Sequence, residues 1–265
     1  LEFGPLSSVL AYALVFVIIA LVLAPHAALL LLSFATVWSF SPLPDGYTLA
    51  HYVRVFSDSA GFIKNTLLYA TLAGLIDVVV GTAISYLVLR SRLAGARALD
   101  LLATAALAVP GVVLGIGYLR AFYDIRLWDG SSLASAWIVI AIALAIRRLP
   151  YALRACYAAL QQISASLEEA AENLGATKGA TIRRIVVPLM TGGLVAGFVT
   201  SFATAAVELS ATLMLVQSNA DAPLAYGIYV FMQSASGRGP GAALGVIAVL
   251  IVVLGVAASQ YVSDR

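Results

Sequence analysis

From Val9 to Val37 the chain runs VLAYALVFVIIALVLAPHAALLLLSFATV, 29 residues without one aspartate, glutamate, lysine or arginine. A helix of about 20 apolar residues already crosses a hydrocarbon layer of about 30 Å. The run therefore reads as a membrane span with length to spare, taken up by tilt or by a kink at Pro25. It extends far beyond the apolar core of a signal peptide, and no A-x-A-like site follows it, so it is not read as a cleaved leader. The chain opens on Leu1 rather than methionine, which fits either a removed start or a segment of a longer polypeptide.

Five further apolar runs follow, at about 63–89, 99–122, 133–149, 189–216 and 242–262. The fourth is expected to continue helically past Pro150. Only 11% of the residues are charged, against about 25% in soluble domains, so there is too little polar surface to coat a soluble core. The expected fold is all-α: one domain over 1–265, a polytopic membrane bundle of six transmembrane helices embedded in a lipid bilayer. A net charge of +2 raises no field that would favour nucleic acid as a partner. The single cysteine, Cys156, excludes an internal disulfide framework and reads as a small hydrophobe. His26 beside Pro25 and His51 in a loop do not make a metal site, and no metal ligand set is expected.

The cations set an orientation. With both termini cytoplasmic, the inner segments hold Arg90, Arg92, Arg97, Arg147, Arg148, Arg154, Lys178, Arg183, Arg184 and Arg265. The outer ones hold Arg54, Lys64, Arg120, Arg126 and Arg238, leaving ten of the fifteen inside, as the positive-inside rule prefers. Trp38, Tyr47, Trp128 and Trp137 fall near the outer boundaries, where interfacial aromatics belong. Small residues recur four apart at Gly111 and Gly115, at Gly193, Gly197, Ser201 and Ala205, and at Gly241 and Gly245. Such ridges let helices approach closely in lipid, either as static packing or as seams that slide.

One stretch breaks the apolar pattern: SLEEAAENLGATKGATIRRIVVPLM, Ser166 to Met190, inside a cytoplasmic loop of about 151–188. Ser166 and Glu169 fit an S-x-x-E capping box. Leu167, Ala170, Ala171 and Leu174 share one shallow apolar helix face that a partner could approach closely. Glu168, Glu169 and Glu172 complement the positive end of the helix dipole. Gly175 is placed to end the helix in a left-handed conformation, Thr177 to cap a second short helix, and Pro188 to open the fifth span. The spacing predicts a helix–turn–helix elbow. Within the spans, Glu208 and, more weakly, Asp77 are ionisable groups in apolar surroundings. Each is either a residue of a translocation path or a structural carboxylate bonded to a neighbouring helix or amide.

EAAENLGATKGATIRRIVVP resembles the EAA loop of permease subunits of bacterial binding-protein-dependent ABC importers: E-A-A, three residues, G, nine residues, I-x-L-P. Glu169-Ala170-Ala171, Gly175, Ile185 and Pro188 stand in that register, with Val187 where the family prefers leucine. KNTLLYATLAG through AISYLVLRSR, AVPGVVLGIGYL and RRLPYALR resemble the family's second span, third span and approach to the loop, so the likeness covers nearly the whole chain. It implies the MetI-like type I permease fold in a bacterial inner membrane. It also implies two separate ATPase subunits, which carry ATP and magnesium, so that this chain is not an enzyme and holds no cofactor. A second permease unit (identical, different or fused) and a periplasmic solute-binding protein complete the implied assembly. Glu169 would anchor the loop, Ala170 and Ala171 would admit the ATPase, Gly175 would make the bend, and Ile185 and Pro188 would join the elbow to the fifth span.

VELSATLMLVQSNADAPLAYGIYVFMQ, Val207 to Gln233, resembles permeases for ferric iron, with thiamine, polyamine and aminoethylphosphonate permeases sharing much of the pattern. Iron-type permeases are often fused pairs, of which this chain would be one half. The residues disfavour other classes. No G-x-x-x-x-G-K-[ST] phosphate loop is present, so ATP chemistry is expected elsewhere. No G-x-S-G motif supports an intramembrane protease. A transporter driven by an ion gradient could use Asp77 and Glu208 but would not need the elbow.

Overall fold

The computed structural model of the chain describes residues 4–39, 41–91 and 93–263; Leu1, Arg92 and Arg265, used in the expectations above, lie outside the described residues. Among the described residues thirteen α-helices follow one another: α1 (Pro5–Phe34), α2 (Ala50–Asp58), α3 (Ala60–Arg90), α4 (Ala96–Ala105), α5 (Gly111–Phe122), α6 (Trp137–Gln161), α7 (Ala165–Asn173), α8 (Lys178–Thr181), α9 (Val187–Leu189), α10 (Thr191–Ala206), α11 (Thr212–Leu215), α12 (Leu224–Met232) and α13 (Arg238–Ser263). A π-helical turn, Ile182–Val186, joins α8 to α9. Isolated bridges at Ala35–Tyr47 and Arg126–Ser132 are the β-type pairings among the described residues. The fold is all-α, as expected.

Two compact units divide the chain, one holding α1, α2 and Ile228–Ile247, the other Gly61–Gly227 with the remainder of α13. In the first, α1 is apolar on every face and exposed along most of its length, from Leu6 through Leu23. A helix hydrophobic all round and packed on almost nothing belongs in lipid. Its end is fastened to α2: the Ser33 and Tyr52 hydroxyls are 2.8 Å apart, and His51 Nε2 lies 2.8 Å from the Ala35 carbonyl. His51 is thereby used structurally. Gly245 admits Leu29 within the same unit.

The second unit is built on α3, α6 and α10. Its core joins Tyr69, Ala70 and Ala73 of α3 to Val139, Ile140, Ala141, Ala143, Leu144 and Ala145 of α6 and to Ala205 and Ala206 of α10. The small-residue ridges form the seams. A Cβ on Gly81 would stand 3.1 Å from the Leu153 backbone, one on Gly197 3.3 Å from Ala152, and one on Gly193 would collide with Ala159. Gly111 and Gly115 likewise lie against Ser210 and Met214. In lipid no hydrophobic effect pulls helices together, so close backbone approach and its van der Waals contacts must hold them.

The six expected runs form helices of unequal length, some of them broken. Among the described residues three helices are long and apolar enough to cross a membrane, Leu6–Phe34, Ala60–Arg90 and Ala235–Tyr261, and a fourth arises if Lys178–Leu189 and Thr191–Ala206, bent by 71°, count as one. The expected third span, 99–122, is interrupted between α4 and α5, where Pro110 lacks an amide and takes an extended ψ of 137°. The fourth starts at Trp137 rather than 133 and continues through Pro150 to Gln161, as anticipated, but Arg147, Arg148 and Arg154 lower its apolarity. The fifth ends at Ala206 rather than 216, because the Glu208 carboxylate bonds the amides of Ala211 and Thr212 and competes with the helical ladder. The sixth begins at Arg238.

Gly192 and Gly193 separate packing from propensity. Nothing lies within 4 Å of a Cβ on Gly192, whereas one on Gly193 meets Ala159. Gly193→Ala should lower stability by about 1–3 kcal/mol despite its better helix propensity. Gly192→Ala should be neutral or slightly stabilising. Thermal unfolding of the two variants in detergent checks the contrast.

Candidate functional site

The elbow forms between α6 and α10. Ser164, not Ser166, is the N-cap of α7: its hydroxyl accepts from the Ser166 amide at 3.3 Å, and the two hydroxyls are 2.7 Å apart. The S-x-x-E box therefore does not cap this helix. Its C-terminus follows expectation. The Gly175 amide bonds the Glu172 carbonyl at 2.9 Å and the Ala176 amide bonds the Ala171 carbonyl at 3.0 Å, with Gly175 at φ +87°. Those are the two crossing bonds of a Schellman motif, and the left-handed residue in it favours glycine. Thr177 then caps α8 through the Ala180 amide.

The π-turn from Ile182 to Val186 comes next. Pro188 has no N–H to give the Arg184 carbonyl, and the wide turn ahead of it takes up that mismatch. Pro188 falls at the start of α9, and the chain then turns at Met190 before α10. The expected entry into the fifth span at Pro188 is thus displaced to Thr191. The residues that fasten this end are Val186 and Met190, buried against Cys156 and Leu160 of α6, while Ile185 is half-buried and Pro188 exposed.

Glu168 and Glu169 part company. Glu168 is buried, its Oε1 accepting from Arg90 Nε at 2.6 Å and its Oε2 from the Tyr86 hydroxyl at 2.9 Å. Arg90 also donates from Nη2 to the Leu160 and Ile163 carbonyls, at 3.3 and 2.6 Å. One guanidinium at the end of α3 thus holds both the last turn of α6 and the first turn of α7. Glu169, Ala170 and Glu172 are exposed, and Ala171 is half-buried. On the apolar face Leu167 is 46% and Leu174 90% exposed. Ala170 and Leu174 of that face are open to the surface, while Leu167 also borders a recess toward α6 and α10. Under the elbow lies a cavity of about 750 Å³, lined by Ala155, Ala159, Ile163, Leu167, Leu189 and Gly193 among others.

The two carboxylates singled out within the spans are both bonded inside the chain. Glu208 is 3% exposed; besides the Ala211 and Thr212 amides it faces Arg147 Nε at 3.3 Å, and Arg147 Nη1 donates to the Val109 carbonyl at 3.0 Å. Asp77 is fully buried and accepts from the Ser201 hydroxyl, while its Oδ1 has no partner. The structure does not bring Asp77 and Glu208 together with the elbow residues. None of the tethers Arg90–Glu168, Arg147–Glu208 and Asp77–Ser201 was anticipated as a pair, because their members lie 78, 61 and 124 positions apart. A cation at the very end of a long apolar run, as Arg90 is, was the one available signal.

A helical membrane protein carrying an outward-facing elbow between two tightly seamed helices is the class these features define. The chain belongs to the binding-protein-dependent transport system inner membrane component family, whose model matches residues 5–265. The ferric transport system permease protein FbpB of Actinobacillus pleuropneumoniae is 35% identical to it over 184 residues, 68% of this chain and 26% of that protein. The sulfate transport system permease protein CysT of Salmonella typhimurium is 30% identical over 159 residues, 57% of each. The molybdenum transport system permease protein ModB of Escherichia coli is 28% identical over 203 residues, 73% of this chain and 89% of its own. The matched segment thus spans about a quarter of the ferric relative. A solved bacterial alginate ABC transporter, in complex with its alginate pentasaccharide-bound periplasmic protein, shares the fold: TM-score 0.69 at 17% identity, covering 97% of this chain and 95% of the matched one.

Removing one member of a buried pair strands the other. Arg90→Ala or Glu168→Ala should therefore cost about 3–5 kcal/mol and loosen the elbow. Glu169→Ala, on the exposed side, should leave stability unchanged. Unfolding midpoints, with limited proteolysis between Gln161 and Lys178, report the difference.

Proposed function

We propose that the elbow from α7 to α9 is the handle by which a separate ATPase moves this subunit, and that the cargo is ferric iron. One observation carries the coupling role: an exposed Leu167–Ala170–Leu174 ridge is rigidly tied, through buried Glu168 and Arg90, to α3 and α6. A ridge so held transmits a push rather than absorbing it. Glu169 supplies the polar anchor, Ala170 and Ala171 the close approach, and Gly175 the bend; Ile185 and Pro188 carry the movement to α10. ATP and magnesium reside on two ATPase subunits on the cytoplasmic side, where both termini of this chain also lie. A second permease unit, identical, different or fused, completes the path, and a periplasmic binding protein delivers the solute. Alternating access is then a bistable rearrangement of packed helices.

Ferric iron as cargo is supported by the likeness to FbpB and by the Val207–Gln233 segment. Thiamine, polyamine and aminoethylphosphonate are the alternatives within the resemblance, and sulfate and molybdenum those raised by the relatives. Cells expressing the complete importer should accumulate labelled ferric iron and not labelled sulfate or molybdate. Gly175→Leu should reduce that uptake at least tenfold, because a side chain at φ +87° strains the bend, and Glu169→Lys should release the ATPase on co-purification. If both variants transport and co-purify as wild type does, the coupling role is wrong. Uptake of a different solute instead overturns only the cargo.

Glu208 and Asp77 enter the same proposal as residues of the translocation path, acting through their tethers to Arg147 and Ser201. Glu208→Gln keeps the side chain's shape but removes the charge that Arg147 faces. Transport should fall about tenfold or more with normal membrane insertion. Wild-type uptake in that variant sinks the path role.

A further inference from the structure

Beside the last turns of α3 lies a second cavity, of about 480 Å³, walled by α4 and by the continuation of α6 beyond Pro150. Its lining includes Val88, Arg97, Asp100, Leu101, Arg154 and Tyr157. None of these residues belongs to the elbow or to the tethers described above. Two arginines and one carboxylate line it. Arg154 Nη2 is 2.9 Å from Asp100 Oδ1 and donates to Thr104 Oγ1 at 2.8 Å, which occupies one of its three nitrogens. Arg97, exposed in the first turn of α4, has no hydrogen bond or ion pair among the described residues, and neither has the Tyr157 hydroxyl. The cavity therefore keeps one uncompensated positive charge and a set of unused N–H and O–H donors. A guanidinium fork suits the oxygens of a phosphate group.

Position decides between possible phosphates. Val88 lies two residues before Arg90, where the long apolar helix α3 ends, so the cavity sits at the edge of the hydrocarbon layer. Apolar surface adjoins it: Leu101, on its wall, is 70% exposed, and Leu102 beside it 69%. A ligand filling this place has an anionic head against Arg97 and Arg154 and apolar chains against α4. We propose that this cavity binds the headgroup of an anionic phospholipid, with Arg97 and Arg154 on the phosphate and the acyl chains over Leu101 and Leu102. A basic recess between membrane helices at the interface is the geometry that retains such lipids. The bound lipid would brace the α3–α4 turn against α6, a joint that is otherwise held by the Asp100–Arg154 pair.

The test uses the full protein, purified in detergent with the subunits that accompany it. Native mass spectrometry follows titration with phosphatidylglycerol or with phosphatidylcholine of the same chains. Phosphatidylglycerol should bind one copy per chain more tightly than phosphatidylcholine. Arg97→Gln, which breaks no contact in the fold, should weaken phosphatidylglycerol binding about fivefold, the effect of one interfacial cation. Arg97→Lys should restore most of it. Millimolar inorganic phosphate should not displace the lipid. Equal retention of the two lipids, unchanged retention in Arg97→Gln, or displacement by inorganic phosphate would each overturn the proposal, the last by showing a site for a free anion.

Discussion

The seam between α6 and α10 is the constraint on which the rest of this structure depends. In lipid, two helices gain nothing from hiding apolar side chains, so they adhere only where their backbones come close. Gly193 and Gly197 provide that approach against Ala152, Ala155 and Ala159, with contacts that leave no room for one added methyl at Gly193. The elbow is the connection between these same two helices. It departs where α6 ends at Gln161 and returns where α10 begins at Thr191. A force applied to the elbow thus arrives at two helices already locked together, and they must answer as one body. A longer or looser seam would let one helix yield while the other stayed.

Polar tethers extend the body beyond the pair. Asp77 ties α3 to Ser201 of α10, Arg147 ties α6 to the break after α10, and Arg90 ties α3 to the elbow and to the end of α6. Each places charge or a strong dipole where water is scarce, and burying an ion is costly unless its partner sits in good geometry. That cost makes such a tether close to all-or-none: a half-open state leaves a carboxylate or guanidinium unpaired. Packed seams and paired charges together favour discrete arrangements over continuous flexing.

Much of the elbow was legible in the residues, because its devices are local. Gly175 in a Schellman turn and Thr177 as a cap depend on neighbours within five positions, and both stand where spacing put them. The start of α7 shows the limit of local reasoning. Two serines two residues apart compete for the cap; Ser166 has the better box, yet Ser164 holds the position. The deciding force is remote: Arg90 draws Glu168 inward, which sets the rotation of the first turn and turns Glu169 outward. The broken third and fifth spans failed for a related reason. Hydropathy counts apolar residues but does not see that Pro110 withholds an amide or that Glu208 claims two.

Class and cargo separate for a physical reason. Relatives named for ferric iron and for sulfate, a cation and an anion, share sequence with the same chain. No single field along the helices can favour both. What these proteins have in common is therefore better sought in how the helices are held than in a charge that selects the solute. Selection has to rest on surfaces that differ among them. In this chain two of the charges near the spans are held by internal partners: Glu208 by Arg147 and two amides, Arg90 by Glu168, whereas Asp77 is bonded only by the Ser201 hydroxyl. Charges spent on holding helices together are not free to discriminate solutes, which separates what fixes the fold from whatever fixes the cargo.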